Sequence, residues 1–211
     1  AMAALSNDWR KHTNNLADVV DHWAATRPDA PAAVELGPRP ATLTYGDLRA
    51  RSLRIAAAIR AKVLAERTPT PPDNDAPIVV ATLMRRGTDF LAVYVAMARA
   101  GIPVVLLSLD HRDRAAEDHR CGEALAIVKP SLVVVDEAGE CRWDETLGEK
   151  PEAVRFEALE KDAAVDGPAE CKAAHETLAF VFTGGTTRAA RCVEVTHAMA
   201  LHEIRRYREA V

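Results

Sequence analysis

The chain has 211 residues, 48% hydrophobic and 27% charged, with 27 basic against 31 acidic side chains and a formal net charge of −4. That length buries a real core in one domain or two, and the near balance of charge excludes a global field aimed at nucleic acid or an anionic membrane. No stretch approaches the roughly 18 uninterrupted apolar residues of a membrane span, so neither a membrane span nor a nucleic-acid partner is expected.

Residues 1–15, AMAALSNDWRKHTNN, have no apolar core of the kind a secretory signal needs, and they read as a flexible leader with a cytoplasmic address by default. A first long helix is predicted from Tyr45 to Leu64. Its apolar stripe is Leu48, Ile55, Ile59 and Val63, while Arg49, Arg51, Arg54, Arg60 and Lys62 occupy its other faces. Those cations read as a solvated helix face or as an anion site. Pro69, Pro71, Pro72 and Pro77 make residues 68–77 a loop.

Four short apolar runs follow: IVVATLM (78–84), IPVVLLSL (102–109), SLVVV (131–135) and LAFVF (178–182). Their length and β-branched content suit strands buried on both faces of a parallel sheet. Between them, residues 88–100 are apolar almost all round and predict a deeply packed helix. Residues 113–128 are charged early and apolar late, which predicts a partly exposed one. Asp110 to Asp113 read as a charged surface turn. Residues 137–177 are mixed, with a short helix near 151–161 and a turn at Asp166-Gly167-Pro168. Strands alternating with helices predict an α/β, doubly wound, mainly parallel sheet, with ligands at the carboxyl ends of its strands.

At the end of the fourth run stand Thr183, Gly184, Gly185, Thr186 and Thr187, followed by Arg188 and Arg191. Three hydroxyls and two residues without a side chain can turn several donors toward one point, which suits the oxygens of a phosphate. Arginine supplies the counter-charge. The same residues also read as an ordinary surface turn. No G-x-x-x-x-G-K-[ST] occurs, so this is not a Walker loop. Cys121, Cys141, Cys171 and Cys192 are unevenly spaced with no C-x-x-C, which points to reduced thiols. His197, His202 and Glu203 lack the H-E-x-x-H spacing, and no metal site is expected. His197 reads as a cap or brace after the loop.

With Val193, Thr196 and His197, the loop resembles the phosphate-binding signature of the AMP-forming adenylating enzymes: acyl-CoA synthetases, nonribosomal peptide adenylation domains and luciferases. Their usual form is roughly Y-T-S-G-T-T-G-x-P-K-G-V, then a short extended stretch and Ser/Thr-His. Five positions depart from it: Gly184 for Ser, Arg188 for Gly, Ala190 for Pro, Arg191 for Lys and Cys192 for Gly. Upstream, TLTYGDL (42–48) is similar to the family's L-T-Y-x-E-L, and Arg99, Ala100, Gly101 and Pro103 fall where members show K-A-G-A-x-x-x-P-L. Leu109 and Asp110 sit near its L-D-P. The resemblance runs from about Leu16 to Tyr207.

It implies a fold like the first part of the large N-terminal domain of adenylating enzymes, with an N-terminal helical segment (16–66) and an α/β subdomain (78–211) ending in the phosphate loop. It implies ATP with Mg as cofactor, held by Thr183, Gly184, Gly185, Thr186, Thr187 and Arg191, and a carboxylic or amino acid substrate with a thiol acceptor. Members are more than twice this length, and their downstream motifs do not occur in this chain. The chain is therefore expected to be a front portion or a natural short relative, incomplete as a catalyst and with no catalytic residue of its own. The departures at Arg188, Ala190 and Cys192 support an alternative, a non-catalytic binding or interaction module with a degenerate loop. In the family, segment 16–66 packs largely against a second subdomain. The stripe of the first helix is thus expected to be loosely packed, re-docked on the first sheet, or covered by self-association.

Overall fold

A computed structural model describes residues 13–37, 40–66, 78–109, 112–144, 151–162, 176–183 and 191–210. The loop predicted over 68–77, the charged pair Asp110 and His111, and the turn at Asp166 to Pro168 lie outside them.

Helix α1 (Leu16–Thr26) starts at Asn15, whose side chain accepts the N–H groups of Ala17 and Asp18 while Asp18 reaches back in a capping box. Strands β1 (Pro31–Glu35) and β2 (Ala41–Thr44) pair antiparallel as a separate two-stranded sheet. Helix α2 (Tyr45–Glu66) covers the predicted helix and adds two residues at its end. It opens on Thr44, whose hydroxyl donates to the Asp47 carboxylate at 2.7 Å and accepts its N–H at 3.1 Å.

The main sheet then builds by alternation. It runs through β3 (Val80–Leu83), α3 (Thr88–Ala100), β4 (Val104–Leu107), α4 (Arg114–Val128), β5 (Leu132–Val135), α5 (Glu137–Arg142), β6 (Ala153–Arg155), α6 (Phe156–Asp162), β7 (Thr177–Phe182), β8 (Cys192–Thr196) and α7 (His197–Ala210). Gly101 ends α3 in the left-handed region, at φ 69°, a conformation that carries little cost without a Cβ. The six strands lie in the order β6-β5-β3-β4-β7-β8, parallel except β8, which runs antiparallel to β7. The four apolar runs thus share one mainly parallel sheet.

Alternate residues of each strand feed two cores, as the two-residue period of a strand requires. Val80, Val104, Leu132 and Val134 pack with α1, α2, α3 and α6, whereas Ala81, Leu83, Val105, Val133 and Val135 pack with Cys121 and Ala124 of α4 and with Trp143. Both faces are covered, so the fold is doubly wound. Strand β6 takes the start of the predicted 151–161 helix, which forms only from Phe156. Three partly buried residues at a sheet edge are too short a run to show as a period.

The stripe of α2 is not left as a surface patch. Leu48, Ile55, Ile59 and Val63 are all buried within the chain, in one core with Ala17, Val20, Val93 and Met97. The reason lies in α3: a helix apolar nearly all round has one face for the sheet and another for α2. Helices α1 and α6 close the flanks.

Candidate functional site

In sheets of this kind ligands bind at the carboxyl ends of the parallel strands. Strand β7 ends at Phe182, and Thr183 follows it exposed at the sheet's edge. Strand β8 returns antiparallel with Phe182 opposite Cys192. The backbone N–H of Thr183 donates to the Arg191 carbonyl at 3.0 Å, and the Arg191 N–H donates to the Thr183 hydroxyl oxygen at 3.3 Å. This reciprocal pair closes the neck of the seven-residue segment 184–190. Gly184, Gly185, Thr186 and Thr187, with Arg188 and Ala190, lie outside the described residues. Of the expected phosphate-binding residues, the structure therefore brings Thr183 and Arg191 together at the loop's base.

Neighbouring strand ends are braced rather than open. Asp136, after β5, caps α5 through a 2.7 Å bond from Gly139 N–H and also accepts the Arg85 N–H after β3 at 3.0 Å. The N-terminus of α3 is met from another sheet: Thr88 donates its N–H and hydroxyl to Glu35 of β1 at 3.2 and 3.3 Å. A carboxylate there suits the positive end of the helix. Arg86 lies 4.3 Å over the Phe90 ring.

The cations of α2 are engaged with carboxylates and a carbonyl of the chain, while the Arg49 side chain stays 51% exposed, as on a solvated face. Arg51 bonds Glu160 of α6 at 2.8 Å and Asp89 of α3 at 2.8 Å, and Arg54 reaches the same Glu160 at 3.1 Å. Arg49 pairs with Asp21 at 3.1 Å and Lys62 with Glu152 at 2.9 Å, while Arg60 donates to the Ala100 carbonyl at 3.3 Å. Each ties α2 to another part of the chain. Burial disfavours the charge on Glu160, but the bonds and field of Arg51 and Arg54 outweigh it and hold its carboxyl below the usual range.

The Thr-His pair after β8 divides its labour. The Thr196 hydroxyl oxygen accepts the Met199 N–H at 3.3 Å and so caps α7. His197 is 1% exposed, its Nδ1 accepts the Leu16 N–H at 3.2 Å, and its backbone N–H donates to the Glu176 carbonyl. An accepting Nδ1 places the ring proton on Nε2. His197 is a brace, as its position after the loop suggested. Its partner stands 181 residues away, where no local pattern reveals it.

Among the described residues no group of three His, Cys, Asp or Glu is gathered to hold a metal ion, and no helix is long and apolar enough to cross a membrane. Burial pushes the Cys121 thiol up.

The fold is a mainly parallel, doubly wound α/β sheet, an architecture whose ligands in general bind at the carboxyl ends of its strands. The family model described as AMP-binding enzyme matches residues 20–210, and the chain belongs to that family. No curated protein matches the chain. Among solved structures it is similar to the fatty acyl-adenylate ligase from L. pneumophila in complex with acyl adenylate and pyrophosphate. That likeness has 18% identity and a TM-score of 0.74, over 93% of this chain and 33% of that one. It is also similar to the nonribosomal peptide synthetase FmoA3, at 19% identity and TM-score 0.70, over 93% of this chain and 19% of that one. A third likeness is to the Klebsiella oxytoca NpsA N-terminal subdomain in complex with 3-hydroxybenzoyl-AMSN, at 16% identity and TM-score 0.65, over 88% and 41%. At these identities the likeness is one of fold. The chain spans about a third of the length of the first of these structures.

Proposed function

We propose that this chain supplies the ATP-phosphate loop of an AMP-forming adenylating enzyme acting in the cytoplasm, as the N-terminal portion of its large domain. The observation that carries the reading is the Thr183–Arg191 neck at the carboxyl end of β7, on the side of a parallel sheet where ligands bind. Thr183, Thr186 and Thr187 would donate hydroxyl bonds, and Gly184 and Gly185 backbone N–H groups, to the β- and γ-phosphates. Arg191 would stand in for a lysine, keeping the charge and adding a planar fork. Donors fixed there stabilise charge on the departing pyrophosphate while a carboxylate attacks the α-phosphorus. Mg, arriving on the nucleotide, would neutralise the same phosphates. The substrate class is a carboxylic or amino acid, passed on to a thiol acceptor, and further polypeptide completes the site around the nucleotide and the acid.

The alternative is a non-catalytic module that keeps the fold, favoured by Arg188, Ala190 and Cys192 where the family pattern has Gly, Pro and Gly. Calorimetric titration of the chain with Mg-ATP and with pyrophosphate separates the two. The loop reading predicts binding that Thr186→Ala with Arg191→Ala weakens at least about tenfold, since each removes a donor to an anion. Absent binding, or binding indifferent to both substitutions, supports the module.

A further inference from the structure

Helix α1 has one first-turn donor that its own cap does not serve. Asn15 Oδ1 takes the N–H groups of Ala17 at 2.7 Å and Asp18 at 3.1 Å, and the Leu16 N–H goes to His197 instead. Two turns along α7, Arg205 Nη2 donates to the Thr13 carbonyl at 3.2 Å and to the Thr13 hydroxyl at 3.3 Å. Leu201, 1% exposed, sits between them at the same helical spacing. His197, Leu201 and Arg205 therefore form one stripe of α7. The two polar members grip residues 13–16, of which Thr13 and Asn15 are themselves buried. The opposite side of α7, with Met199, His202 and Tyr207, is exposed.

Strand β8 is an edge strand, exposed from Cys192 to Glu194 and paired on one side only. Besides its ladder to β7 it has, among the described residues, the cross-strand side-chain bond Thr177 to Glu194. Its far end runs directly into His197, and its near end carries Arg191. Fixing His197 therefore anchors the far end of the ladder whose near end holds Arg191 opposite Thr183.

We propose that His197 and Arg205 are positioning residues: by clasping the start of α1 they lock the β8–α7 arm and hold Arg191 in place for an anionic phosphate ligand. The proposal deepens the loop reading above and rests on it. The N-terminal segment, remote in sequence from the loop, is thereby part of its scaffold. Deleting the Nδ1 acceptor leaves the Leu16 N–H buried without its bond, a cost concentrated where α1 meets the arm.

The test uses the 211-residue chain, with pyrophosphate as probe and hydrogen exchange of residues 192–196 as the structural readout. His197→Ala is expected to weaken pyrophosphate binding at least about fivefold and to speed exchange in β8 at least about tenfold. His197→Asn, whose Oδ1 can accept near the same point, should restore both. Arg205→Met should give a smaller effect in the same direction and covers the case in which His197→Ala does not fold. Ile59→Ala, deep in the core between α2 and α3, controls for general destabilisation and should leave pyrophosphate affinity within about twofold. Folded His197→Ala and Arg205→Met proteins with unchanged affinity and unchanged β8 exchange overturn the proposal. So does an Ile59→Ala loss as large as that of His197→Ala. If the unaltered chain binds no pyrophosphate, the loop reading falls. The clasp is then judged on exchange alone: faster exchange in His197→Ala with recovery in His197→Asn upholds it, and no change overturns it.

Discussion

The pair Asp21–Arg99 joins α1 to α3, and its two halves should not be equally expensive to lose. Arg99 donates Nη1 to Asp21 Oδ2 at 2.9 Å and Nη2 to Oδ1 at 2.7 Å, with Nε on the Ser52 hydroxyl at 3.3 Å. Its side chain is 2% exposed, whereas that of Asp21 is 37% exposed and has a second partner in Arg49 at 3.1 Å. Arg99→Met keeps most of the apolar stem and leaves the carboxylate with Arg49 and water, at a cost of about 1–2 kcal/mol. Asp21→Ala leaves a buried guanidinium with the Ser52 hydroxyl as its remaining partner among the described residues, at a cost of about 3 kcal/mol or more. Adding Arg99→Met to Asp21→Ala should then recover stability, because it removes the stranded charge. Urea unfolding of the four proteins at neutral pH reads this directly. An Asp21→Ala variant as stable as Arg99→Met, or a double variant less stable than Asp21→Ala, would refute the reasoning.

Three further outcomes are expected. Gly139→Ala should destabilise by about 3 kcal/mol in urea unfolding, because a Cβ there would lie 1.8 Å from the Leu83 carbonyl oxygen in the central strand β3; a loss under about 0.5 kcal/mol contradicts the packing of α5 on that strand. A thiol reagent should label the exposed Cys141 and Cys192 quickly and the buried Cys121 only on unfolding, since burial raises that thiol; mass mapping of the labelled sites checks it. Glu160 is depressed in the folded protein, so its contribution is present above the unfolded glutamate value of about 4.3 and is lost as pH falls through the lower folded value. The melting-temperature gap between the unaltered chain and Glu160→Gln should therefore be largest near neutral pH and shrink in acid. A gap independent of pH counts against the Arg51–Glu160–Arg54 linkage.

What the sequence made legible were the features whose cause is local. Val79, Val80 and Ala81, or Val133 to Val135, are continuous apolar runs because both faces of their strands are buried, and such runs stand out without knowing any partner. Helix α2 was legible from the spacing of Leu48, Ile55, Ile59 and Val63. What covers that stripe was not, because α3 presents a second apolar face that only the fold brings opposite. Strand β6 stayed hidden for want of length, and β1 because its Val34 and Glu35 are exposed and give no apolar run. At the site, Thr183 was legible because the apolar run Phe180 to Phe182 stops there, and hydroxyls and glycines follow. The Thr183–Arg191 neck and the His197–Leu16 bond were not, since each joins residues whose proximity the topology alone decides. The partners of the α2 cations were hidden for the same reason: Asp21, Asp89, Glu152 and Glu160 reach them from four other parts of the chain.

The central claim is that phosphate is taken at the end of β7, and residue-resolved amide shifts of the labelled chain during a pyrophosphate titration test it most directly. The account predicts saturable perturbations centred on Thr183 to Arg191 and fading into β7 and β8, with Arg49 to Lys62 of α2 unmoved because those cations are already engaged. Perturbations centred on α2, or none at concentrations that saturate a weak site, would contradict it.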